Sequence, residues 1–272
     1  MSAQGNAIEW ARVQVSATSP EPLRDSVTLP DRIRGALGRA LADHKTHRDA
    51  AALHRILFGA VAQDGSSLRP FTIQCDSRGG RTEVTLNLLG GAASLLDAAG
   101  AGLVAALQGG IRVAPNNKRR ALLQCEDPVF ERHVGFTPCG PGSATRLHIR
   151  LVTPLLLRHG RHGVAGSLDP LPHVIARRLH WLSRLWTDTG VDVTSPGPLS
   201  QGLRVHEARL HPVNYQRYSR THPEGMQFVM LGGSIVFIGN PMPFMPLLAF
   251  AEVFHAGSMT AQGAGRLCCA VS

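Results

Sequence analysis

Read along the 272 residues, the order strand, helix, strand, strand, helix, strand occurs twice, which predicts an α+β fold of two tandem ferredoxin-like (βαββαβ) domains. Two further observations agree with it. Pro138, Gly140, Pro141 and Gly142 form a turn-rich break between the repeats, which divides the chain into 1–138 and 139–272. The length suits two such modules, and 43% hydrophobic residues supply a core for each.

The elements follow in order. Ile8, Trp10, Val13 and Val15 keep apolar side chains over residues 8–16, a strand with one slip in its alternation. Pro30 opens a helix with Ile33, Leu37, Ala40 and Leu41 on one face and Arg32 and Arg39 on another. A second helix, over about 48–61, buries Leu53, Ile56, Leu57 and Val61 and carries Arg48 and Arg55 on its outer side. Strands near 70–76 and 82–88 come next, then a Leu/Ala-rich helix near 92–107 stopped by Gly109-Gly110, and a strand near 119–126. The second half reads as strand 145–153, helix 170–187, strands 203–215 and 226–238, helix 243–255 and strand 266–271. In the 170–187 helix, Leu171, Ile175, Leu179, Leu182 and Trp186 make an apolar stripe, while His173, Arg177, His180 and Arg184 share the opposite face. That row suits a phosphate backbone or, equally, a solvated surface.

The formal net charge is +9, and 26 of the 28 basic residues are arginine, Lys45 and Lys118 being the exceptions. A planar guanidinium matches phosphate bidentately and stacks on bases, which points to RNA or DNA. The abundance of Ala, Gly, Arg, Pro and Leu is also what a GC-rich genome produces. No run of about 20 apolar residues and no signal-peptide pattern is present, so a cytoplasmic protein without a membrane partner is expected. The five cysteines (Cys75, Cys125, Cys139, Cys268, Cys269) have no C-x-x-C spacing; no metal site, cofactor or disulfide framework is expected, and they read as small buried residues.

Several segments carry a resemblance. Ile33-Arg34-Gly35-Ala36-Leu37-Gly38-Arg39-Ala40-Leu41, Leu68-Arg69-Pro70-Phe71-Thr72-Ile73 and Leu86-Asn87-Leu88-Leu89-Gly90 resemble, in that order, the N-terminal half of the CRISPR repeat-processing endoribonucleases of the RAMP superfamily. Thr153-Pro154-Leu155 with Arg158, Arg217-Tyr218-Ser219, Met230-Leu231-Gly232-Gly233, Phe244-Met245-Pro246-Leu247-Leu248 and the glycine-rich stretch from Gly257 to Gly265 are similar to the second half. The compact size and arginine dominance also look like the variant found with type IV CRISPR systems. The resemblance implies two ferredoxin-like domains, binding of a CRISPR repeat RNA, metal-independent cleavage that matures the guide RNA (crRNA), and docking with other effector-complex subunits. One departure is the glycine-rich stretch: many family members have a richer loop, often with a lysine, and here no basic residue occurs before Arg266. Its backbone amides, around Gly263 and Gly265, could still cradle phosphate.

Metal-independent cleavage requires a deprotonated 2′-hydroxyl, in-line attack on the adjacent phosphate and a proton for the leaving 5′-oxygen. Histidine can act as base or acid, and cations stabilise the charge gathering on phosphorus. The resemblance places the catalytic histidine around the first helix and so nominates His44 and His47, beside Lys45 and Arg48. Alternatively, arginines do the work by positioning and charge: Arg39 first, with Arg24, Arg32 and Arg34. Arg217 and Arg220 are expected RNA contacts ahead of the flanking Tyr215 and Tyr218, at least one of which belongs to the core. Lys118-Arg119-Arg120 follows Pro115-Asn116-Asn117 in a turn and reads as a backbone clamp. The competing reading is a non-catalytic crRNA-binding subunit of a CRISPR ribonucleoprotein.

Overall fold

The computed structural model describes residues 8–20, 23, 27–43, 47–59, 68–114, 119–138, 142–159, 163–164, 166–188, 190–217 and 225–272. The chain forms two compact units, Met1–Gly135 with Leu182–Thr189 and Ala261–Gly263, and Phe136–Trp181 with Gly190–Thr260 and Ala264–Ser272.

In the first unit, β1 (Glu9–Thr18), β2 (Phe71–Arg78) and β3 (Arg81–Leu89) make the sheet, and α1 (Leu29–Ala42), α2 (Ala50–Phe58) and α3 (Leu96–Gln108) cover it. β1 is central, antiparallel to β3 from Trp10↔Leu89 to Thr18↔Arg81, and the spatial order is that of a ferredoxin-like fold. Period-2 alternation drives Ala11, Val13, Val15 and Ala17 of β1 into the core, against Ile33 and Leu37 of α1 and Leu103 of α3. α1 forms because Pro30 sits in its first turn, Asp31 and Arg39 lie at the ends their charges favour, and Leu29, Ile33, Leu37 and Leu41 recur on one stripe.

Three expectations change in this unit. α2 begins at Ala50, with Asp49 at its N-cap, so Arg48 precedes the helix instead of sharing its outer face with Arg55. The strand expected at 119–126 divides into β5 (Arg120–Ala121), which pairs with β4 (Ile111–Arg112), and β6 (Gln124–Cys125), which touches the end of β1. The fourth place in the sheet falls mainly to β7 (Val129–Val134), paired from Glu9↔Val134 to Gln14↔Val129. Its side chains are largely exposed on both faces, which erases the alternation that announces a strand. Gly90–Gln108, 19 residues, is long and apolar enough to cross a membrane by length and composition. Here it is a 3₁₀ turn leading into α3, with Leu96, Leu103 and Leu107 buried in the unit's core.

The second unit repeats the plan with β8 (Arg146–Leu155), a small β9 (Arg158–His159) and β10 (Gly163–Val164) pair, α4 (Leu171–Trp186), β11 (Leu203–Arg217), β12 (Met226–Gly239), α5 (Met245–Phe254) and β13 (Leu267–Val271). The sheet order β11-β12-β8-β13 is again ferredoxin-like. Leu147, Ile149, Ile235 and Phe237 face inward, as do Ile175 of α4 and Phe250 and Phe254 of α5, and Phe136 meets Phe250 edge-on at 5.1 Å. Successive residues of β13 point to opposite faces, so Cys269 is buried as expected while Cys268 is exposed.

Candidate nucleic-acid interface

In the first unit the segment between α1 and α2 holds His47, half-buried. Its Nδ1 accepts the Asp49 backbone N–H at 3.1 Å and lies 3.7 Å from Asp49 Oδ2. An Nδ1 engaged as acceptor places the neutral ring's proton on Nε2, which is then a hydrogen-bond donor. Arg48 is exposed and reaches Asp49 Oδ2 at 3.4 Å, and Arg39 is exposed on the last turn of α1. Of the residues nominated by sequence, Arg24, His44, Lys118 and Arg220 lie outside the described residues.

The remaining arginines of α1 are more enclosed. Arg32 donates through Nη1 to the carbonyls of Arg112 and Val113, the latter at 2.7 Å, which ties α1 to the β4 turn. Burial lowers its pKa, against an opposing pull from Cys75. Arg34 stacks its guanidinium 5.2 Å from the Phe58 ring centre. The turn that Arg32 supports presents Arg112, Arg119 and Arg120, all exposed, with Arg112 and Arg120 directly cross-strand. Like charges so placed repel, and a bridging phosphate offsets that repulsion. Arg112 is a cation of this turn that the sequence reading missed.

In the second unit, His173 and Arg177 of α4 are exposed; Arg184, also exposed, lies on the last part of α4, which belongs to the first unit. His180 is half-buried, its Nδ1 3.3 Å from the Val191 carbonyl and 3.6 Å from Asp192 Oδ1, so it anchors the segment after α4 instead of standing free in the row. The richer cationic surface is the sheet face turned away from the helices. Arg146, His148 and Arg150 alternate along it on β8, all exposed. The register lines up Arg209, Ser234, Arg150 and Cys268 across four strands, and Arg204 with Ile238 and Arg146. Glu207 is the acidic member, paired with Arg209 at 2.5 Å. The Arg-x-His-x-Arg alternation at 146–150 is the sequence signal that would have found this face. By contrast, the equivalent face of the first unit carries Arg12, bound to Glu131 at 3.3 Å beside a stacked Trp10–His133 pair, with Thr72 and Asn87 buried.

Arg217, at the end of β11, is half-buried. Tyr215 is core, 3% exposed and packed with Leu156, Met230 and Ala264; a stacking role for it is excluded by that packing. Tyr218 lies outside the described residues.

The glycine-rich stretch folds inward. The amides of Ser258, Ala264 and Gly265 donate to the carbonyls of Leu156, Met259 and Pro154, and that of Ala256 to Gly265. At these four positions the amides are engaged within the protein and do not cradle a phosphate, contrary to expectation. Gly265, at φ +73°, would place a Cβ 2.0 Å from the Ala256 carbonyl oxygen, and Gly263, at φ +86°, one 2.3 Å from Pro30. Both positions demand glycine for close backbone approach.

His255 opens this stretch, fully buried, with Nδ1 3.1 Å from the Ala264 carbonyl oxygen. Burial, then Arg178 and Arg266, push its pKa down from 6.5 to about 3. The unfolded chain therefore takes up a proton between those values that the folded ring refuses. The associated stability is complete above pH 6.5 and is lost as pH falls toward 3, on the order of 1 kcal/mol per pH unit. Urea unfolding at graded pH is expected to show this decline, and a His255→Asn variant to flatten it. Arg178, also buried, lies on the inner side of α4, donates Nε to the Phe254 carbonyl at 3.3 Å, and has its pKa lowered to about 10 by burial. No cluster of His, Cys, Asp and Glu able to hold a metal occurs among the described residues.

Residues 149–267, most of the second unit and including Arg150 and Arg209 of the cationic sheet face, match the family described as CRISPR-associated endoribonuclease Cas6. Over those residues the chain is similar to the Cas6 family. The Cas6-like fold extends over both halves. A Thermus thermophilus Cas6 in a product complex shares it with a TM-score of 0.56 at 14% identity, over 97% of this chain and 99% of that one. A RAMP protein binding different RNA substrates gives 0.50 at 9% identity, over 96% and 99%. A Cas6-related protein from Pyrococcus furiosus gives 0.51 at 10%, over 96% and 98%. No curated protein matches this chain by sequence.

Proposed function

We propose that this chain is a metal-independent endoribonuclease that binds a CRISPR repeat hairpin, cuts the precursor guide RNA at the hairpin base and retains the mature crRNA. The observation that carries the reading is the Cas6 match over residues 149–267, which includes Arg150 and Arg209 of an exposed cationic sheet face. Exposed strands of this kind hold RNA by phosphate contact and by stacking. The 2′-hydroxyl attacks the adjacent phosphorus and the 5′-oxygen leaves. His47 and His44 are the acid–base pair: one, as neutral imidazole, takes the 2′-hydroxyl proton, and the other, as imidazolium, protonates the leaving oxygen. Arg39 on α1 stabilises the extra negative charge of the transition state. The products are a 2′,3′-cyclic phosphate and a 5′-hydroxyl.

One observation favours a second reading, a non-catalytic crRNA-binding subunit. The exposed chemistry-bearing groups are mostly arginines, which bind phosphate but stay protonated and so make poor bases. Incubating the protein with a repeat RNA separates the two. Cleavage supports the first reading; tight, salt-sensitive binding with no product after long incubation supports the second. Under either reading the retained crRNA would be handed on within a complex of other CRISPR subunits.

A further inference from the structure

His255 has φ 60° and ψ 166°, a backbone region that is essentially glycine's own. Strain persists in such a place only where the surroundings hold it. This position could be glycine, as Gly257, Gly263 and Gly265 are in the same stretch, yet it carries a fully buried imidazole.

What the imidazole does is visible in its hydrogen bonds. Facing a carbonyl, Nδ1 must be the protonated nitrogen, and it donates to Ala264 O at 3.1 Å. Next to it, the Ala256 amide donates to Gly265 O at 3.0 Å. These two adjacent bonds clamp the two ends of the 256–265 stretch together. Nε2 is then a lone-pair acceptor, buried and without a hydrogen-bond partner among the described residues. Arg178 is the complementary case, since its Nη2 is a buried donor without a partner among the described residues, while its Nε holds the carbonyl of Phe254, the residue before His255. Leaving a buried donor and a buried acceptor unsatisfied is destabilising. Beyond the clamp comes Arg266, the first cation after the glycines. Its amide donates to Thr153 Oγ1 at 2.9 Å, and its carbonyl accepts from Val152 and Thr153. The course of 264–265 therefore decides how Arg266 is presented.

We propose that His255 is a positioning residue for RNA cleavage: supported by Arg178, it clamps the ends of the glycine-rich stretch and so sets Arg266 toward an RNA phosphate. The cleavage half of this proposal rests on the endoribonuclease reading above; the clamp does not. Pure packing would be served by an apolar side chain on an unstrained backbone, without the Nδ1 donor or the neighbouring arginine.

The test compares wild type, His255→Gly, which relieves the backbone strain and removes the donor, and His255→Asn, whose amide can still donate to Ala264 O. Hydrogen exchange at Ala256, Ala264 and Gly265 is expected to quicken in H255G and to stay near wild type in H255N. With a repeat RNA, the single-turnover rate of H255G is expected to fall about tenfold to a hundredfold with little change in affinity, and H255N to recover most of it. Exchange unchanged in H255G overturns the clamp. Wild-type cutting rates in H255G, or H255N as slow as H255G, overturn the role in cleavage. A wild-type protein that binds RNA without cutting defeats the endoribonuclease reading and the cleavage role, and the exchange result still decides the clamp. Should H255G fail to fold, Arg178→Met takes its place: fast exchange with slow cutting is expected, and wild-type behaviour in both overturns the proposal.

Discussion

His47→Ala is expected to slow repeat-RNA cleavage by about 10² to 10⁴-fold, the usual cost of losing a positioned general acid or base, with RNA affinity little changed. The reasoning starts from one hydrogen bond. Because Nδ1 is engaged by the Asp49 amide at 3.1 Å, Nε2 is the nitrogen left to exchange a proton with the RNA, and the ring is oriented by backbone that the start of α2 fixes in place. Alanine removes that nitrogen and nothing that binds RNA. Single-turnover kinetics at saturating protein measures this directly. If His47→Ala and His44→Ala both cut normally while Arg39→Ala fails, positioning and charge carry the reaction without a histidine.

The triple variant Arg146→Ala, Arg150→Ala, Arg209→Ala is expected to weaken RNA binding by about 10² or more at moderate salt, and to make the dependence of log K on log salt shallower by about two to three units, one for each phosphate no longer neutralised. All three side chains are on the open face of the second unit's sheet, and two of them share a cross-strand row with Ser234. They pack against no core, so folding should survive. Filter binding over a salt series gives both quantities, and an unchanged slope would place the RNA elsewhere, for example on the Arg112 and Arg120 turn.

The architecture was legible where periodicity is strong. The stripe at Leu171, Ile175, Leu179 and Leu182 appears in the sequence as it does in the fold, and the paired long strands read at 203–215 and 226–238 are found as Leu203–Arg217 and Met226–Gly239; β1 was legible as a strand, but its register runs without the expected slip. The fourth strand of the first unit was not legible, because Pro128 separates short pieces and β7 is exposed on both faces. Two further cases differ in kind. Arg178 could have been found: it is seven residues after Leu171 and three after Ile175, inside the apolar phase of α4, next to the outward Arg177. His255 could not, since nothing in the letters after α5 says that its backbone turns left-handed and carries the ring inward.

The central claim is chemical, that RNA is cut by its own 2′-hydroxyl without a metal. Its most direct measurement is the end-group analysis of a repeat RNA incubated with the protein in excess EDTA. The account predicts cleavage at an unchanged rate, leaving a 2′,3′-cyclic phosphate on one fragment and a 5′-hydroxyl on the other; loss of activity in EDTA, or a 5′-phosphate on the product, would contradict it.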